Sequence, residues 1–146
     1  MQIIYALFIG IFITFIFDFF IFLGMYLYYI NFYNIELYFN IFFVDNQNIL
    51  FFAISTIFYG FFTLFLHNKK IKLLFLLVSF LVVLLVLVKD IGHFLGNKIF
   101  KQTEVTLQTK KYTFTGDIIY LGRTQIVFFD YDLNRNININ KKDLIR

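Results

Sequence analysis

Residues 49–88 read ILFFAISTIFYGFFTLFLHNKKIKLLFLLVSFLVVLLVLV, and this stretch decides the architecture. It holds two runs of 18 residues, Ile49 to Leu66 and Ile71 to Val88; the first is uncharged and the second carries only Lys72. About 17–25 apolar residues suffice for a helix to cross the roughly 30 Å hydrocarbon core of a bilayer. Neither run alternates as a barrel strand would, and unpaired backbone is too costly in lipid for anything but a helix or a closed barrel. The connection His67-Asn68-Lys69-Lys70 is so short that the two helices must form an antiparallel hairpin, with Lys72 snorkelling from its helix end.

On the N-terminal side, Ile3 to Ile30 is apolar apart from one formal charge, Asp18. At about 1.5 Å per residue a helix of that length extends roughly 42 Å, enough to cross with tilt or to project beyond a membrane. Tyr5 near one end and Tyr26, Tyr28, Tyr29 and Tyr33 near the other mark the two interfaces. No basic n-region and no small-residue cleavage site accompany it, so it reads as an anchor and not a cleaved signal. The expectation is three transmembrane helices, at about 3–30, 49–66 and 71–88. Between the first two, Asn31 to Asn48 mixes Phe32, Tyr33, Phe39, Phe42 and Phe43 with asparagines, Glu36 and Asp45. It is too polar to span and too apolar for a free loop, which predicts an interfacial segment lying against the helices.

On the C-terminal side, Ile91, Phe94, Leu95 and Ile99 recur at helical spacing, predicting that the third helix continues over 89–100 as an amphipathic extension. From Thr103 the period shortens to two, in Val105-x-Leu107, Tyr112-x-Phe114 and Ile137-x-Ile139. Ile118 to Leu121 and Ile126 to Phe129 are denser runs, with turn chemistry at Gly122-Arg123 and over 130–136. Four or five short strands follow, as a small all-β domain over 101–146. The segments Tyr112-Thr-Phe-Thr-Gly-Asp-Ile-Ile, Leu121-Gly-Arg-Thr, Ile126-Val-Phe-Phe and Asp143-Leu-Ile resemble the strand rhythm of SH3-like and Sm-like barrels, in which Gly116 would permit a sharp bend. Three membrane helices followed by such a barrel are similar to the core of small-conductance mechanosensitive channels. Those channels, however, line their pore with a Gly/Ala-rich third helix and carry a Pro-Asn after the barrel strands. Here Leu73 to Val88 is nearly all Leu and Val, and the chain contains no proline.

Composition narrows the function. Of 146 residues, 60% are hydrophobic and 15% charged, against about 45–50% and about 25% in soluble domains. The absence of cysteine excludes a disulfide scaffold and any thiolate nucleophile or metal site. Both serines, Ser55 and Ser79, fall inside predicted membrane helices, and His67 and His93 flank different helices. No phosphate loop, GxGxxG or HExxH occurs. A protein without catalytic, cofactor or metal residues is therefore expected. Asp130-x-Asp132-x-Asn134 opens like a calcium loop, but Arg135 stands where glycine and Lys141 where glutamate is needed, so a hairpin connection accounts for it. Asp90-x-x-His93 offers two ligands, too few for a site.

Asp18 is the sharpest single feature. A charged aspartate at the centre of a membrane helix costs about 2.5–3.5 kcal/mol on insertion scales. Gly10, Thr14 and Asp18 share one helix face. Three readings stay open: a protonated Asp18 bonded to Thr14 or to Ser55, Thr56, Tyr59 or Thr63; an anchor for a basic residue of a partner; or a proton or ion relay. Ser55, Tyr59 and Thr63 recur at spacing four, with Thr56 and Gly60 on the adjacent stripe, as helices that pack closely require. Gly92-x-x-x-Gly96 predicts helix packing or a hinge.

The tail from Lys89 to Arg146 carries ten Lys/Arg and six Asp/Glu, a net charge of +4. Attraction to anionic lipid headgroups explains this more simply than single-stranded nucleic acid does. Lysines flank both ends of the last span, and the basic count over the whole tail favours a cytoplasmic C-terminal domain. The expected function is that of a small plasma-membrane (bacterial inner-membrane) protein. It would act as a non-enzymatic accessory or assembly subunit of a larger complex, with membrane lipids and other subunits, or copies of itself, as partners. The alternative is a homo-oligomeric channel or permeabilising effector gated through the C-terminal domain.

Overall fold

Five helices precede a four-stranded sheet in the computed structural model, which describes residues 2–109 and 111–145. Helix α1 (Gln2–Met25) runs on through a π-turn, Tyr26–Ile30. Then follow α2 (Phe39–Asn46), α3 (Ile49–Phe65), α4 (Lys69–Leu84) with a 3-10 turn at Leu85–Leu87, and α5 (Lys89–Phe100). Asparagines start both helices of the hairpin: Asn48 accepts from the Leu50 and Phe51 amides at 3.1 Å, and Asn68 from the Lys70 amide at 3.0 Å. These bonds satisfy donors that a helix N-terminus otherwise leaves free. Gln2–Ile30 and Lys69–Leu87 are each long and apolar enough to cross a membrane. The α2–α3 pair passes the same test only together, and it is bent by 82°. All three apolar runs are thus helical, within two residues of the expected boundaries, and the intervening segment contributes a short helix set crosswise to α3.

Helices α1 and α3 pack with their backbones in contact. Ala6, Gly10 and Thr14 are buried on α1, and Thr56 and Gly60 on α3. A Cβ on Gly10 would lie 2.1 Å from the Thr56 carbonyl oxygen, and one on Gly60 would lie 2.7 Å from that of Ala6. Small residues at spacing four allow this approach. Phe17 closes the stripe, its ring 5.1 Å from Tyr59 and 6.1 Å from Phe80 of α4. By contrast, every residue of α4 is at least partly exposed. Its far end is held where the Val86 backbone meets Gly24 of α1 so tightly that a Cβ on Gly24 would lie 2.4 Å from the Val86 carbonyl oxygen.

The expected continuation of the third helix is not observed. Val88 is extended, at φ −82° and ψ 130°, and α5 starts afresh after it with Asp90 in its first turn, where the helix dipole favours an acid. The physical reason is packing across the chain. The break lets Gly92 face Gly24 and lets Gly96 lie under the Tyr29 ring, where an added Cβ would come within 2.3 Å of the ring carbon Cγ. The two glycines pack against α1 and its π-turn, and the change of direction falls at Val88.

The sheet is an antiparallel meander of β1 (Gln102–Gln108), β2 (Thr113–Leu121), β3 (Gln125–Asp130) and β4 (Arg135–Asn140). The two runs around Gly116 belong to the single strand β2, whose backbone passes so close to β3 that a Cβ on Gly116 would meet the Phe129 carbonyl oxygen at 1.9 Å. Asp130 accepts from the Asp132 and Leu133 amides at 2.8 and 3.0 Å, an Asx-type turn with Asn134 in the left-handed region at φ 48°. After β4 a 3-10 turn, Lys141–Asp143, returns the chain to β1. There Leu144 bridges Thr109, and the Ile145 amide donates to the Gln108 carbonyl at 2.9 Å. One face of the sheet buries Ile118, Ile126, Phe128 and Ile139.

Helices and sheet share a second core, built from Met25, Tyr29, Phe42, Val86, Phe100 and Tyr120 with their neighbours. The Tyr29 hydroxyl donates to the Ile119 carbonyl at 2.7 Å. Asn46 donates to the Tyr120 hydroxyl at 2.9 Å, and Arg123 pairs with Asp45 at 2.6 Å. Replacing Gly10 by leucine is expected to force α1 from α3 and cost about 1–3 kcal/mol, as overpacking does. Ala53→Leu, on the exposed side of α3, should cost little; thermal unfolding in detergent followed by circular dichroism compares the two.

Candidate functional site

The predicted face of α1 is realised, since Gly10, Thr14 and Asp18 are all buried. Asp18 is only 6% exposed. Its hydrogen bond, however, comes from Gln47, whose Nε2 donates to Oδ2 at 2.6 Å, and not from the expected hydroxyls. The reason is the level at which α3 begins. Its small-residue stripe is spent against Ala6 to Thr14, so opposite Asp18 the chain is already turning from α2 into α3. Asp18 therefore sits beside the start of α3 rather than midway along it. Thr14 and Thr56 are buried with unpartnered hydroxyl oxygens among the described residues, and so is the Gln47 Oε1.

The remaining candidates scatter along α3. Ser55, Tyr59 and Thr63 are half-buried beside the Thr56–Gly60 stripe. Thr63 donates to its own helix at the Gly60 carbonyl, 2.7 Å, and Tyr59 stacks edge-on against Phe17. They do not converge with Asp18 at one level. On α5, His93 bonds through Nδ1 with the Tyr28 carbonyl at 2.9 Å, so its imidazole is directed at the π-turn.

What Asp18 does share is a cavity of about 640 Å³. Four side-chain amides, Asn46, Gln47, Asn48 and Gln102, line it together with Asp18. Phe22, Phe51, Leu95 and Ile99 form apolar wall. No Lys, Arg or His is among its described lining residues. Gln47 and Gln102 were not singled out by sequence reasoning. The one signal for the former is the dense polar run Asp45-Asn46-Gln47-Asn48 placed directly before an uncharged span.

A second polar cluster lies in the sheet. Asp117 pairs with Lys101 at 2.9 Å and accepts from the Tyr131 hydroxyl at 2.5 Å and the Glu104 amide at 3.1 Å. Glu104 offers its amide from a left-handed conformation, φ 58°, at the irregularity where β1 shifts register against β2. Burial by itself pushes the Asp117 carboxyl up, but the bonds from Tyr131, Lys101 and the Glu104 amide outweigh it and hold the group below the usual carboxylate range. The same bond raises the Tyr131 phenol. All these partners are spent on one another, tying β1, β2 and the β3–β4 turn together.

No protein-family model, characterised protein or solved structure matches the chain.

Two outcomes follow from the site geometry. Gln47→Leu leaves a buried carboxylate without its donor and should destabilise by about 1–3 kcal/mol. Adding Asp18→Leu should restore most of that loss in a double-mutant cycle of thermal unfolding. For Asp117, a depressed folded pKa means stability that is present above about pH 4 and lost as pH falls through the lower folded value. Melting temperature should therefore fall below about pH 4, and Asp117→Asn should flatten that fall.

Proposed function

We propose that the chain is an integral plasma-membrane protein, spanning with α1, α3 and α4, that serves as a non-enzymatic accessory or assembly subunit of a larger membrane complex. The exposure of α4 carries this reading. Leu73, Leu74, Leu77, Val78, Leu81 and Val82 are each 49–67% exposed, and Phe8, Phe12, Ile54 and Phe58 extend the apolar surface over α1 and α3. Such a surface goes well beyond the roughly 300–600 Å² patches that water-exposed monomers carry. Lipid satisfies part of it. A helix with so little claim on its own bundle is also free to pack against a helix of another subunit.

The shared core supports a sheet that moves with the helices, a rigid platform suited to docking. The gated-channel reading draws less support, because a gate needs the sheet to move and a pore helix needs small residues that α4 lacks. The return of residues 144–145 to β1 favours a small SH3-like barrel as the form of the C-terminal part. The basic count of that part favours its cytoplasmic placement.

A photo-crosslinking amino acid at Leu77, in native membranes, tests the assembly reading. A discrete adduct with a different chain is the expected result. An adduct of twice the protomer mass would favour self-association, and adducts with lipid alone would overturn the subunit assignment. Resistance to alkaline carbonate extraction checks membrane insertion, and a single cysteine replacing Asn138, probed with an impermeant maleimide, reports the side on which the sheet lies.

A further inference from the structure

We infer that the Asp18 cavity is a binding site for a membrane lipid with a primary-ammonium headgroup, an inference that rests on the membrane reading above. Asp18 is 6% exposed and lines the cavity, yet its hydrogen bond comes from a neutral amide. No cation lines the cavity among the described residues, and the ion pairs formed, Lys101 with Asp117 and Arg123 with Asp45, leave Asp18 out. A buried carboxylate without a counter-charge is costly. An ammonium supplies the missing charge through charge-assisted hydrogen bonds.

The rest of the lining fits a lipid rather than a free amine. The amides of Asn48 and Gln102 bring N–H donors suited to a phosphate without adding positive charge, while Asn46 spends both of its own on the Phe42 carbonyl and the Tyr120 hydroxyl. The apolar wall ends in Phe51 and Ile99, both 59% exposed, where an acyl chain would leave the cavity along the helices. The level is also right. The cavity lies where α3 begins, about six α1 residues short of Gly24, the point at which the α4 end meets α1. Measured along α1 this is roughly 9 Å inside the longer span, but the uncharged α3 starts here at Ile49, so its end and the polar turn before it set the headgroup–acyl boundary at this level. An anionic headgroup would instead meet the Asp18 charge.

The chain has no tryptophan, so a single Ile99→Trp replacement reports from the cavity and a single Leu77→Trp replacement from the outer side of α4. Each is reconstituted into phosphatidylcholine vesicles carrying either dibrominated phosphatidylethanolamine or dibrominated phosphatidylglycerol, whose bromines quench nearby indole fluorescence. The Ile99→Trp protein should prefer the ethanolamine lipid by roughly tenfold in relative binding constant, while the Leu77→Trp protein is quenched by both alike. Asp18→Asn should bring the preference close to unity, and Asp18→Glu should retain it. Gln47→Lys gives Asp18 an ammonium from the chain itself in place of the neutral amide, so it should abolish the preference even if Asp18→Asn fails to fold. Equal quenching of the Ile99→Trp protein by both lipids, or a preference that survives Asp18→Asn, overturns the site. Absence of quenching for the Leu77→Trp protein overturns the membrane reading, and the site with it.

Discussion

The buried phenol of Tyr29 is the group on which the joining of helices and sheet depends. A hydroxyl taken wholly out of water must find an acceptor, and Tyr29, at 0% exposure, finds it in the Ile119 carbonyl of β2. Its ring in turn requires a glycine at position 96, since any side chain there would collide with it. Phe100 and His93 pack against the same ring. One side chain in the π-turn that ends the first helix thereby sets how close α5 comes and ties the sheet to the helices.

A second constraint is the unequal length of the helices. The continuous helix through Ile30 has 29 residues, whereas α3 has 17. At about 1.5 Å per residue the difference is roughly 18 Å. Helix α2 takes up that difference by lying crosswise, with Phe42 and Phe43 against Phe22. This same mismatch leaves Asp18 facing a turn and its amides instead of a helix face. The polar contacts of Asp18 gather at that turn because side-chain amides meet α1 there at its level.

The local features were legible in the chain itself. Uncharged runs mark helices, period-two alternation marks the strands, and Asp130 with Asn134 marks a turn; each depends on neighbours a few residues away. The break at Val88 was not legible, because a Leu/Val run carries no breaker. It arises from Gly92 and Gly96 reaching for α1, a contact spanning more than sixty residues. The partner of Asp18 was hidden for a related reason. Counting along α1 puts the carboxylate mid-helix, but its surroundings are set by where α3 begins, and Gln47 lies 29 positions away. Hydroxyls inside the spans were the natural candidates, and the small-residue stripe had already claimed their helix.

The Tyr29–Ile119 bond joins residues 90 positions apart, which gives it a place in time as well as in space. At synthesis rates of about 5–20 residues per second, roughly 5 to 20 s pass between the emergence of the phenol and that of its acceptor. Throughout that interval the phenol lacks its final acceptor, and the bed for its ring is unfinished until Gly96 is made. The meander, built of adjacent hairpins, needs only its own residues to pair. Maturation of this chain is thus a late docking event, in which a nascent sheet arrives to complete a helix that has been waiting for it.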